Sequence, residues 1–285
     1  MRALRGRAIS FALAATALAL PAPGVAAVDL SGYYGAVFHE DQPERVPGPD
    51  AGDYAGLPIT DANRMRGDTW NASLITMPER QCIPHPSPYG IRGIGTLQLA
   101  EVRDNATQEL VRYETTLGAY TATRKIWMDG RPHPPEWALH THEGFSTGRW
   151  EGDALVVRTT HLKQSYVRRN GLMMSDKATS EERFIRHGDV LHHVMITMDP
   201  VYLSEPLVKT TIYRLQARPN VAAWPCRPAV EIPRPKGLVP HNAMGDHEVA
   251  VEYAKRHGLP LEGVRGGAHT ALPEFAEAIA ASAAR

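Results

Sequence analysis

At 285 residues the chain has room for one large or two small domains, and a content of 43% hydrophobic and 22% charged residues excludes disorder as its main character. Lys plus Arg and Asp plus Glu balance at 31 each, so no net field draws nucleic acid or an anionic membrane surface, and both are set aside as partners.

The chain opens on a basic segment, Met1 to Arg7, followed by an apolar run from Ala8 to Leu20 and by small residues at Val25, Ala26 and Ala27. That order predicts a signal peptide over residues 1–27, cleaved near Ala27, with a buried N-terminal helix as the competing reading. The run is short for a membrane span and no adjacent arginine pair precedes it, so the general secretory route is expected. The expected location is therefore periplasmic or secreted, with no stable membrane span once the signal is removed. Two cysteines remain, Cys82 and Cys226, each beside prolines. In an exported chain an even pair favours a disulfide, and a loop this long would contribute roughly 4 to 5 kcal/mol. Two unrelated buried thiols are the alternative.

After the signal, Tyr34, Ala36 and Phe38 share one strand face, in a stretch similar to the opening strand of calycin-type barrels. From 40 to 56 the chain turns to Asp, Pro and Gly, which predicts a covering loop. Residues 60–74 carry helical spacing, with Thr60 or Asp61 as N-cap and Met65, Trp70 and Leu74 as apolar contacts. The Pro-rich C-I-P-H-P-S-P-Y-G that follows predicts irregular structure. Three strands are expected at 95–103, 109–117 and 123–128, divided by turns at Asp104–Asn105 and Asp129–Gly130. A second Pro-rich connection occupies 131–143.

From Gly144 to Asp199 the alternation is cleanest. Turns at Gly152–Asp153 and Gly188–Asp189 join β-rich runs, and in the run 154–162 Leu155, Val157, Thr159 and His161 share one face. A polar connection lies between 162 and 179. A last strand is expected at 207–216, then an extended Pro-rich segment, then helical spacing over 246–256 and 273–284. The fold class is mainly β: an antiparallel meander closing into a barrel-like domain over 28–232, with Pro-rich covering loops. Residues 233–285 are read as a Pro-rich linker and short C-terminal helical appendage.

The run G-R-W-E-G-D-A-L-V-V, preceded by I-W-M-D-G-R-P-H-P and followed by E-E-R-F-I-R and D-P-V-Y, resembles a group of uncharacterised exported bacterial β proteins. The likeness covers roughly residues 29–231. It implies export and a β fold, distantly calycin- or lipocalin-like, and supplies no reaction.

Candidate chemistry rests on a few polar groups. His161, placed on the face of Leu155 and Val157, points to the interior, where an imidazole needs a partner and titrates near neutral pH; a structural histidine is the competing reading. His140, Asp199 and Tyr202 belong to segments bordering the same sheet and complete the catalytic candidates, although Asp before Pro is also ordinary turn chemistry. Trp127 and Arg169 are the ligand-binding candidates. His140 and His142 stand at i and i+2 and would share a face in extended backbone, a weak metal alternative, since neither has a third ligand at a recognisable spacing. Glu182, sharing a face with Phe184 and Arg186, is expected in cross-strand ion pairing. No G-x-S-x-G elbow or phosphate loop occurs, and no cofactor is expected.

Two functions follow. One is a cofactor-independent enzyme doing proton-transfer chemistry, of isomerase, lyase or hydratase type, on a small, largely apolar substrate in the barrel cavity. The other is a carrier that binds an apolar ligand without turnover. The sequence leaves oligomeric state open.

Overall fold

Nine strands of alternating side chains close on themselves in the computed structural model, which describes residues 28–37, 48–71, 77–91, 95–118, 122–218, 226–230, 233–238, 242–246 and 248–283. Along the chain the strands are β1 Gly32–Ala36, β2 Thr96–Arg103, β3 Leu110–Leu117, β4 Arg124–Trp127, β5 Phe145–Glu151 and β6 Ala154–Thr160. They continue as β7 Ser165–Arg168, β8 Leu172–Met174, β9 Thr179–His187, β10 Val190–Met198 and β11 Leu207–Leu215. Around the barrel the order is β1-β11-β10-β9-β6-β5-β4-β3-β2, and β7 and β8 form a separate hairpin. Closure leaves no edge strand, the problem an open meander of this size would face. The expected signal segment 1–27, and with it Phe38 and Leu74, lie outside the described residues.

The two G-D turns occur as expected. Glu151 pairs with Ala154, and His187 with Val190, so each loop is two residues, with Gly152 and Gly188 at φ of 63° and 58°. Such loops need a left-handed residue to match strand twist, and glycine takes that conformation without a Cβ clash.

The expected all-antiparallel meander needs one correction: β4 and β5 pair in parallel. A parallel neighbour cannot be reached by a tight turn, and the Pro-rich connection 131–143 makes the crossing. A second correction concerns 162–179, which holds the β7–β8 hairpin. Its strands are short, and Arg168 is buried among them by bonding to Asp53 O at 2.6 Å, so no alternation marks them in the sequence. The Pro-rich 82–90 stretch is not wholly irregular either. It contains the single helical turn α2, Ser87–Gly90, with proline in the first turn, where its missing N–H costs nothing.

The barrel interior is packed by Tyr34, Leu97, Leu99, Tyr113, Leu117, Ile126, Leu155, Val157, Phe184, Leu191, Met195 and Tyr213. Each large apolar side chain buried this way contributes about 1.5–3 kcal/mol. Helix α1, Asp61–Asp68, begins at the N-cap Thr60, whose hydroxyl accepts from Asn63 N. Its expected apolar contact Met65 is exposed, and it is Asn63, Gly67 and Asp68 that are buried. The reason is specific bonding: Asn63 Nδ2 donates to Met173 O and Tyr202 O at 3.0 and 3.2 Å, and its Oδ1 accepts from Met173 N at 2.7 Å. A polar helix face is buried where it completes a neighbour's backbone.

The C-terminal helices α3 Glu248–His257 and α5 Pro273–Ala283 follow the helical spacing, and the short α4 Leu261–Val264, which the spacing did not mark, lies between them. They are tied to α1 and the segment before it: Tyr54 N donates to Val264 O, Gly267 N to Leu57 O, and Arg64 Nε to Arg265 O. Gly266, at φ +77°, lies so close that a Cβ there would stand 2.0 Å from Tyr54 O. Cys82 and Cys226 are joined in a disulfide with Cα atoms 5.7 Å apart, inside the normal span.

Candidate acid-base cleft

Alternation along β6 sends Leu155, Val157 and Thr159 inward and leaves Arg158 and Thr160 on the outer wall. His161 does not continue the inward set. It lies one residue past β6 at φ 57°, in the left-handed region, and that backbone change ends the alternation. Its ring therefore joins Arg158 and Thr160 on the outside, which corrects the expected inward orientation. The crossing connection 131–143 runs over this wall, pinned where Thr141 N donates to His161 O and Lys163 N to Thr141 O, at 2.9 and 2.8 Å. Between connection and wall is a cleft of about 510 Å³ lined by His133, Glu136, His140, Arg158, Thr160, His161, Asp176 and Lys177.

Hydrogen bonds assign the protons on its three imidazoles. His161 Nε2 faces Pro135 O at 3.0 Å, and a carbonyl only accepts, so Nε2 carries the proton. In the neutral ring Nδ1 then accepts from Thr160 Oγ1, at 2.7 Å, which uses the one hydroxyl proton. His133 Nδ1, also 2.7 Å from Thr160 Oγ1, must therefore donate, and His133 Nε2 accepts from Thr147 Oγ1 at 2.9 Å. The result is one directional chain from Thr147 through His133 and Thr160 to His161. Burial, followed by the charges of Arg158 and His161, lowers the His133 pKa, in keeping with a neutral ring. His140 Nδ1 donates to Leu162 O at 2.9 Å, which leaves its Nε2 with an available lone pair, and its ring lies 5.2 Å from that of His161. Neither Arg158 nor Lys177 forms an ion pair among the described residues, so both charges are open to a ligand.

The structure brings His161 and His140 together and places the other candidates elsewhere. Asp199 accepts from Ser175 N, Ser175 Oγ, Val201 N and Tyr202 N at 2.6–3.3 Å, a buried carboxylate spent on holding a turn. Tyr202 offers its backbone oxygen to Thr60 N and Asn63 Nδ2. Trp127 is on β4 with the Arg131 guanidinium 3.5 Å above its ring. Arg169 is bonded to Glu79. His140 and His142 line different clefts, and among the described residues no three His, Cys, Asp or Glu gather as metal ligands.

Sequence reasoning missed His133, Thr147, Thr160 and Lys177, and it read Asp176 as part of a solvated hairpin end. They come from the Pro-rich connection, β5, β6 and the loop before β9, segments that no periodicity links. Glu182 does pair with an arginine on another strand, as expected, and the structure names it: Arg124 on β4, at 3.0 Å from Nη1 inside the barrel. Arg186 bonds instead to Gly188 O and Asp29 O.

The barrel core is tightly packed beneath His85 and Ile91, and a separate cleft of about 550 Å³ is lined by Glu101, Leu110, Tyr113, Met128 and Trp150. Tyr34, Phe184 and Tyr213 are fully buried in that core, and between Arg124, Leu97, Leu117 and the capping residues His85 and Ile91 the free space is about 30 Å³, room for about one water. Comparison with family models, with curated proteins and with solved structures finds no match to this chain.

Proposed function

We propose that the protein is a cofactor-independent catalyst of proton transfer, acting in the outer-wall cleft on a small, polar, anionic carbonyl compound. The observation that carries this reading is the set of fixed tautomers: His140 Nε2 is left as a base in a cleft whose lining also holds two cations, Arg158 and Lys177. His140 would take a proton from carbon next to the substrate carbonyl. The electrons of that C–H bond pass to the carbonyl oxygen, and the resulting enolate is stabilised by Arg158 and Lys177 until His140 returns the proton. His161, with both ring nitrogens engaged, acts as a positioning residue for His140. The substrate is read as polar, where the sequence suggested an apolar one, because the cleft is lined by charge.

Export is part of the same proposal. It is supported by the basic start, the apolar run and the Cys82–Cys226 disulfide, a bond at home in an oxidising compartment. Among the described residues no helix is long and apolar enough to cross a membrane.

The test is solvent deuterium exchange. Purified protein in D₂O is given pyruvate, acetoacetate and related small oxo acids, and NMR follows loss of the carbon-bound proton. We expect exchange that falls about 10²- to 10⁴-fold in His140→Gln with little change in Tm. Saturable shifts of the cleft histidines without exchange would replace the enzyme with a binding protein; neither shifts nor exchange would sink both.

A further inference from the structure

A second cleft, of about 390 Å³, is lined by different residues. Its floor is apolar and polarisable: Trp70 and Tyr166 meet edge to face at 5.5 Å, with Met77 and Met173 beside them. Two hydrogen-bonding atoms are buried in its lining, Ser165 Oγ and His142 Nδ1, and neither has a partner among the described residues. Ser165 itself is 4% exposed. A buried hydrogen-bonding atom left unmet is destabilising, and a ligand's polar atom would remove that penalty. At the rim stands Arg66, exposed on α1 and in no ion pair among the described residues. Burial first, and Lys163 second, lower the His142 pKa against the opposing pull of Glu143, so its ring is a neutral hydrogen-bonding group at pH 7.

We propose that this cleft binds a hydroxylated aromatic carboxylate, with its flat ring system against Trp70, Tyr166 and the two methionines. The carboxylate meets Arg66 and the hydroxyl meets Ser165 and His142. The size and the balance of apolar wall with few polar groups are those of a small-molecule site. An alkyl acid would fill the volume but leave the aromatic and sulfur surfaces poorly matched. The inference stands apart from the acid-base reading, because Arg66, Ser165 and Trp70 do not belong to that cleft.

Isothermal titration with 6-hydroxy-2-naphthoate, 2-naphthoate and 2-naphthol tests it on the mature protein. The hydroxylated acid is expected to bind tightest. Arg66→Gln, a change at an exposed position that spares folding, should weaken both acids about tenfold and leave 2-naphthol unchanged, as loss of a charge-assisted bond predicts. Ser165→Ala should weaken the hydroxylated probe several-fold and spare 2-naphthoate. Three outcomes overturn the proposal: no saturable heat with 6-hydroxy-2-naphthoate at millimolar concentration, an affinity indifferent to Arg66→Gln, or binding lost in His161→Gln, which would place the probe in the acid-base cleft.

Discussion

Arg124 on β4 and Glu182 on β9 meet inside the barrel, two bonds joining the guanidinium fork to the carboxylate where both side chains are almost wholly buried. Ser146 and Thr159 occupy further guanidinium protons at 3.0 and 2.7 Å, and His193 Nε2 stands 3.0 Å from Glu182 Oε2. Five strands, β4, β5, β6, β9 and β10, are thus tied by one charged pair, and each buried charge depends on the other.

Glu182→Gln would leave Arg124 charged and unbalanced. Removal of one partner of a buried pair costs about 3–5 kcal/mol, so urea unfolding should show a loss of that size. The pH dependence follows. Burial raises the carboxyl pKa, but Arg124 and His193 outweigh it and hold it at about 2 against 4.5 for a free glutamate. The stabilisation is full above pH 4.5 and is lost as pH falls from 4.5 towards 2; the variant should lack that portion of the acid profile.

His85 gives a separate, earlier acid step. Burial first, then Arg169 and His142, lower its pKa to about 4 against the pull of Glu79. The unfolded chain binds the proton near pH 6.5 and the folded chain does not, so stability is full above 6.5 and declines between 6.5 and 4. One such group sets a slope of up to about 1.4 kcal/mol per pH unit. Urea midpoints measured at pH 7.5, 5.5 and 4.5 should fall for the native protein and fall less for His85→Phe.

Cys82 and Cys226 tie two segments 144 residues apart in the chain. Reduction, or the double change of both to Ser, should cost about 2–5 kcal/mol and lower Tm, measured with and without dithiothreitol. An unchanged Tm on verified reduction would show that the bridge contributes nothing.

Thr160→Val should break the hydroxyl link between His133 and His161 while keeping shape. Imidazole ¹⁵N shifts are expected to show His161 Nδ1 losing its donor and His133 changing tautomer population, with exchange activity down about tenfold or more and Tm nearly unchanged. Unaltered histidine spectra would show that no hydrogen-bond chain runs through Thr160.

The order of the barrel strands was largely determined by local signals. In β5–β6 and β9–β10 the alternation has period two and the turns are G-D pairs, so register follows from neighbours a few residues apart. The disulfide was equally legible, because two cysteines in one chain have a single possible intrachain pairing. Tertiary structure alone decided the rest. The parallel β4–β5 step depends on how a Pro-rich connection crosses the wall, and no residue within it encodes a direction. His161 kept its place in the sequence pattern and lost it in space, since a single left-handed backbone at the strand end turns its ring outward. The helix α1 buries Asn63 and not Met65 because hydrogen-bond demand from Met173 and Tyr202, distant in sequence, outweighs its apolar spacing. Sites assemble from such long-range meetings: Thr147, His133, Thr160 and His161 become one proton chain only after closure brings three segments onto the same wall.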